Sequence, residues 1–168
     1  MDLIPINFYG QYRNNNMKEI IQRSLIDCTL EELFEFHLDS RNITEITPSN
    51  SKVELLSKDT PTFEGKIVKL KTTRLFIPIN WEVKIEKLDK PNLLVDVAIK
   101  SPFKYWKHQH VFQQKGNQCE LKDIIEFELP FGILGKLVEP FLILDIKNMF
   151  EYRHQKTKEI LENKKSKI

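Results

Sequence analysis

An α+β domain, built from an antiparallel sheet and one long C-terminal helix, is the fold class this sequence predicts, and three observations carry the prediction. Between Lys52 and Pro130, six segments alternate apolar and polar residues at the two-residue period of a strand, at intervals typical of an antiparallel meander. After Pro130 the spacing becomes helical and stays so to about Asn163. A further strand and two short helices precede Lys52, giving six to seven strands in all.

Taken in order, residues 1–16 are polar, close on Asn14-Asn15-Asn16, and stand apart as an N-terminal extension. The folded domain is expected over residues 17–163, with a basic tail at 164–168. MKEIIQRSLIDC reads as the first strand. Thr29 is a good N-cap, followed by Glu31 and Glu32 in the first turn and by Leu30, Leu33, Phe34 and Leu38 as the apolar side of a short helix. A second short helix is expected from Arg41 to Ile46, stopped ahead of Pro48. The strands that follow are KVELLS, GKIVKLKTT, INWEVKIEKL, NLLVDVAIK, KYWKHQHVFQQ and QCELKDIIEFEL. Alternation puts Trp81, Val83 and Ile85 on one face, and on the next strand Val95, Val97 and Ile99, which turns Asp96 outward. In the final helix, Leu137, Phe141, Leu144 and Asn148 form one stripe and Val138, Leu142, Asp145 and Met149 another beside it. Pro140 belongs near its start or else splits off a preceding turn, and a helix from Pro140 to about Asn163 would be roughly 36 Å long.

A chain of 168 residues with 40% hydrophobic content supports one core. Its net charge of +2 balances 26 basic against 24 acidic residues, which gives none of the field a nucleic-acid binder builds. Cys28 and Cys119 lie far apart in no metal-like or redox-like spacing and read as reduced, buried thiols. With no basic segment leading an apolar run and no uncharged stretch long enough to span a bilayer, stable membrane insertion is not expected, and a cytoplasmic location is.

The most informative segment is SPFKYWKHQHVF, residues 101–112. Read as a strand, it puts Trp106, His108, His110 and Phe112 on one face. On the next strand Leu121, Asp123, Ile125, Phe127 and Leu129 share a face, with Asp123 the polar exception. A two-residue turn at Gly116-Asn117, with Lys115 opposite Gln118, sets His110 across from Asp123 and His108 across from Ile125. An inward His110 and Asp123 pair is therefore predicted. Each buried polar group left unpaired costs about 1–3 kcal/mol, so the pattern points to a polar-floored cavity.

This order of elements, together with FEFHLDSRNITEITP, INWEVKI, SPFKYWKHQHVF, LPFGILG and MFEYR in sequence across residues 17–155, resembles the SRPBCC superfamily, also called START-like, and within it the bacterial ligand-binding subgroup. The resemblance implies the helix-grip fold, a curved antiparallel sheet wrapped on the C-terminal helix with a pocket between them for a small hydrophobic or amphipathic ligand. On that mapping Trp81, Trp106, His108, His110, Phe112, Asp123 and Phe127 form the sheet wall, with Phe141 and Met149 from the helix. Members of the wider superfamily include polyketide cyclases or dehydratases and carriers of lipids or hormones.

Three functions follow from the same residues. The first is binding of that ligand, with His110 and Asp123 orienting a hydroxyl or carbonyl. The second is a cyclase/aromatase or dehydratase in which His108 and His110 exchange protons while Asp123 holds a tautomer; no G-x-S-x-G pattern or phosphate loop supports other chemistry. The third is a protein-interaction module around a structural His/Asp core. No cofactor is implied. No metal is expected, because His108, His110 and Asp123 make three ligands without a fourth, and His37 and His154 are placed on helices outside the inner face.

Overall fold

The computed structural model describes residues 16–57, 62–74, 76–130 and 132–165, so the expected extension over 1–16 and the end of the basic tail lie almost wholly outside the described residues. The chain runs β1 (Lys18–Ile26), α1 (Leu30–Leu38), α2 (Asn42–Glu45), β2 (Ser51–Leu55), β3 (Ile67–Arg74), β4 (Ile77–Asp89), β5 (Leu93–Lys100), β6 (Tyr105–Lys115), β7 (Gln118–Glu128) and α3 (Gly132–Lys165). The strands make one antiparallel sheet in the order β1-β7-β6-β5-β4-β3-β2. The architecture is the curled seven-stranded helix-grip fold, with α3 lying along the inner side of the sheet.

Local chemistry accounts for the ends of the elements. Thr29 caps α1 with a full capping box: its hydroxyl accepts from the Glu32 amide, and the Glu32 carboxylate accepts from the Thr29 amide. Between β6 and β7, Gly116 takes a φ of 60°, the left-handed value that the first central position of a two-residue II′ turn demands. The turn fixes the register as the alternation predicts, with Lys115 opposite Gln118, His110 opposite Asp123 and His108 opposite Ile125.

That register carries a pattern repeated on five elements. One apolar cluster is built by Ile20, Trp106, Ile125, Phe127, Ile146 and Phe150, and a second by Ile26, Leu33, Phe34, Leu94, Phe112, Leu121 and Leu161. Between them each element contributes polar residues: Ser24 on β1, Asp96 on β5, His108 and His110 on β6, Asp123 on β7, and Arg153, His154 and Thr157 on α3. The inner side of the domain is thus apolar, then polar, then apolar along its length.

Three expectations need correction. The helix starts at Gly132 rather than at Pro140, which is accommodated inside it, and its 34 residues span roughly 51 Å. It is also rotated from the expected setting: Leu137 is 72% and Phe141 77% exposed, so that stripe faces outward. The inward line is Leu142, Ile146, Met149 or Phe150, His154, Thr157 and Leu161, at three- and four-residue spacing. From Leu137 to Leu144 the sequence of α3 is apolar on both sides, so periodicity there does not choose between the two rotations. On β5, Leu94 pairs with His110 and Asp96 with His108, so Leu94 and Asp96 face in, and the more strongly β-branched Val95, Val97 and Ile99 side is the other face.

The two faces of α3 should respond oppositely to truncation. Phe150→Ala is expected to cost about 3–5 kcal/mol in urea unfolding, as for other fully buried aromatics, while Phe141→Ala should stay within about 0.5 kcal/mol; comparable losses at both would refute this helix rotation.

Candidate functional site

A cavity of about 520 Å³ lies between the inner face of the sheet, α1 with α2, and α3. Its apolar lining includes Phe36, Ile43, Val53, Val68, Leu70, Ile79, Trp81, Val83, Trp106, Leu142, Ile146 and Met149. At the polar layer the lining becomes His37, Asp96, His108, His110, Asp123, Arg153, His154 and Thr157.

Asp123 is the centre of that layer, 3% exposed and faced by three imidazoles. His110 Nδ1 lies 2.9 Å from its Oδ1, while His108 Nε2 and His154 Nε2 lie 3.3 and 3.2 Å from its Oδ2. None of these ring nitrogens is aligned well enough for a good hydrogen bond, and Arg153 Nε and Thr157 Oγ1 are likewise buried without a partner. Such a layer costs free energy unless something else engages it. Asp96 sits on the opposite side of the β6 histidines, its Oδ2 3.7 Å from His108 Nδ1 and 3.6 Å from His110 Nε2. His154 is held from behind by a hydrogen bond between Ser24 Oγ and its Nδ1 at 2.9 Å. His37 Nδ1 donates to the Leu33 carbonyl at 2.8 Å, and its ring centroid lies 5.0 Å from that of His110.

Of the residues expected to form the ligand wall, Trp81, Trp106, His108, His110, Asp123 and Met149 line this cavity. Trp81 satisfies its indole by donating to Thr72 Oγ1 at 3.1 Å and meets Trp106 edge-on at 5.6 Å. The expectation fails for three aromatics. Phe112 packs against Phe34 in one core cluster and Phe127 against Phe103 and Trp106 in the other, one on each side of the polar layer, and Phe141 faces outward. Alternation assigned the right face to Phe112 and Phe127, but a shared face does not bring a residue to the hollow part of it. His37 and His154, placed outside the inner face by sequence reasoning, are brought in because α1 and α3 turn them toward β6 and β7. Asp96, Phe103, Arg153 and Thr157 were missed. For Arg153, His154 and Thr157 a signal existed: they interrupt, at helical spacing, the line that runs from Phe150 to Leu161.

A family model for polyketide cyclase / dehydrase and lipid transport matches residues 26–151. The chain belongs to that family. Solved structures share its fold. The di-domain aromatase/cyclase StfQ from the steffimycin biosynthetic pathway superposes with a TM-score of 0.73 at 9% identity, covering 89% of this chain and 52% of that one. The Zhui aromatase/cyclase from a Streptomyces species gives 0.70 at 14% identity, over 87% and 94% of the two chains. A Thermus thermophilus protein gives 0.70 at 13% identity, over 87% and 98%. At these identities the likeness is one of fold. No curated protein matches the chain.

On this polyketide cyclase/dehydrase scaffold the polar layer separates the charge states of its imidazoles. Burial opposes a charge on His110, but the Asp123 carboxylate beside it, joined by Asp96, outweighs burial and pushes the ring up to about 9. Burial, then the charge on His110, pushes His108 down. The same two causes push His37 down to about 3. Asp123 would be raised by burial, yet His110 and His108 hold it well below the usual carboxylate range. At neutral pH a charged His110 therefore stands beside a neutral His108, their ring centroids 3.9 Å apart. A proton donor and a proton acceptor face one cavity.

The linkage to stability has a definite sign. Because His110 is raised from 6.5 to about 9 on folding, its contribution is complete below pH 6.5 and lost as pH rises through 9. His37 and His108, lowered on folding, act the other way and cost stability as pH falls below 6.5. Urea unfolding at a series of pH values should show stability falling between pH 6.5 and 9, and His110→Phe should flatten that limb. A limb equally steep in the variant would remove His110 as its source.

Proposed function

We propose that this protein binds a small hydrophobic or amphipathic molecule in the cavity, its apolar body against the Trp81, Trp106 and Met149 side and an oxygen-bearing end at the polar layer. The carrying observation is the junction of the two: an apolar hollow that ends on buried ring nitrogens of His108, His110 and His154 and on Arg153 Nε, none with an aligned partner. A carbonyl, hydroxyl or carboxylate placed there would accept from donors that otherwise remain unsatisfied. A volume of about 520 Å³ falls within the range of sites for drug-sized ligands. We also place the protein in the cytoplasm, a reading that two unbridged, buried cysteines support. Among the described residues no helix is long and apolar enough to cross a membrane.

A cyclase or dehydratase activity is the second reading, and the observation that favours it is the split between His110 and His108. Aldol-type ring closure needs a base to take a proton from carbon and an acid to protonate the carbonyl oxygen, and loss of water needs an acid at the departing hydroxyl. A neutral His108 and a charged His110 supply both roles at neutral pH, with Asp123 holding the rings in place. Fold alone does not choose between carrier and catalyst.

Anilinonaphthalene sulfonate, which pairs aromatic rings with an anionic end, is a suitable first probe. It should bind near one per chain with enhanced fluorescence, weaken about tenfold in Arg153→Met, which corresponds to about 1.4 kcal/mol, and be excluded by Val53→Trp, which fills the hollow. Undiminished binding to the filled variant would sink the cavity reading. For the second reading, a poly-oxo thioester should be consumed at a rate that falls by about 100-fold or more in His110→Phe, well beyond the roughly tenfold loss of probe affinity that removing one polar contact causes.

A further inference from the structure

The β6 histidines are engaged on both sides, and the two sides are not alike. Each uses one ring nitrogen toward Asp123, His108 through Nε2 and His110 through Nδ1, at 3.3 and 2.9 Å. Their other nitrogens, His108 Nδ1 and His110 Nε2, both face Asp96 Oδ2, and one donor atom from each of the three residues lies within 4.8 Å of the other two. Asp96 Oδ2 stands 3.7 and 3.6 Å from the two nitrogens. Those separations are too long for direct hydrogen bonds, which end near 3.2 Å. They come within a few tenths of an ångström of the roughly 3.3–3.4 Å edge of a tetrahedron whose metal-to-ligand distance is about 2.0–2.1 Å.

We propose that Asp96, His108 and His110 form a binding site for a divalent first-row transition ion, with zinc as its simplest occupant. Two imidazoles and one carboxylate on one side of an ion is a recurrent donor set for such metals, and it leaves coordination positions open. All three donors line the cavity, so those open positions face its interior. Asp123 acts from behind. A carboxylate facing the far nitrogen of each ligating ring favours the proton on that side; His108 Nδ1 then offers its lone pair, and His110 Nε2 does so once the incoming ion displaces its proton to solvent. Sequence reasoning counted Asp123 as the third ligand of an incomplete set; the structure moves it to the outer position and supplies Asp96 through the Asp96–His108 pairing of β5 and β6. The inference does not depend on which guest, if any, the cavity takes.

The test is equilibrium dialysis of the chelator-treated full chain against zinc, followed by elemental analysis. Uptake close to one zinc per chain is expected. Asp96→Asn, which preserves shape, should weaken binding at least tenfold, and Asp123→Asn, which touches no metal, by about 10–100-fold. Cobalt(II) loading gives an independent reading in the unmutated protein: intense visible bands of a four- or five-coordinate ion without thiolate charge-transfer bands. Histidine NMR should show His108 and His110 shifting on zinc addition. No uptake by the unmutated chain, equal uptake by Asp96→Asn, or thiolate bands that move the ion to a cysteine would each overturn the proposal.

Discussion

A carboxylate with almost no water around it must be surrounded by donors and cations, and the placement of Asp123 sets the terms for the rest of this domain. Removing an ionised carboxylate from water costs several kcal/mol even after relaxation. Three imidazoles face it at 2.9–3.3 Å, two from the neighbouring strand β6 and one from α3, and they offer charge rather than well-aligned hydrogen bonds. The last contact ties the long helix to the sheet at a defined point along its length. Ser24 on β1 fixes His154 in turn, so the outermost strand of that edge joins the same network.

The apolar clusters on either side make such a layer affordable. Phe34, Phe112, Leu121 and Leu161 close one end of the domain, and Trp106, Phe127, Ile146 and Phe150 close the other. A fully buried aliphatic or aromatic side chain contributes about 1.5–3 kcal/mol, and both clusters hold several. Held at both ends, the sheet and helix stay apart in the middle, where the lining is partly polar and a hollow of about 520 Å³ persists. A cavity bounded by packed cores does not need its own filling to survive.

The chemistry of the site follows from crowding several titratable groups into low-dielectric surroundings. One proton, or one cation, on the β6 pair is favoured by two carboxylates, while a second is opposed by the first and by burial. That single constraint separates His110 from His108 and His37 in charge. It also makes the site suited to a polar group of a guest, to proton transfer, or to an ion between Asp96 and the imidazoles. Membership of the polyketide cyclase/dehydrase and lipid transport family is compatible with carriage and with catalysis alike.

Much of this was legible in residue order. The order of elements, the N-cap at Thr29 and the pairing of His110 with Asp123 through the Gly116-Asn117 turn depend on nearest neighbours and on a two-residue period, which a single sequence contains. The inward facing of Trp81, Trp106 and both β6 histidines followed from the same alternation. Other features required three dimensions. Asp96 was misassigned because β5 is apolar on both faces, so only hydrogen-bonded register with His108 shows which one is inside. The rotation of α3, the inward turn of His37 and His154, and the exclusion of Phe112 and Phe127 from the hollow depend on contacts between residues far apart in the chain. Sequence alone determined which residues share a face; tertiary packing decided where along that face the protein is solid and where it is open, because only the meeting of helix and sheet sets the distance between them.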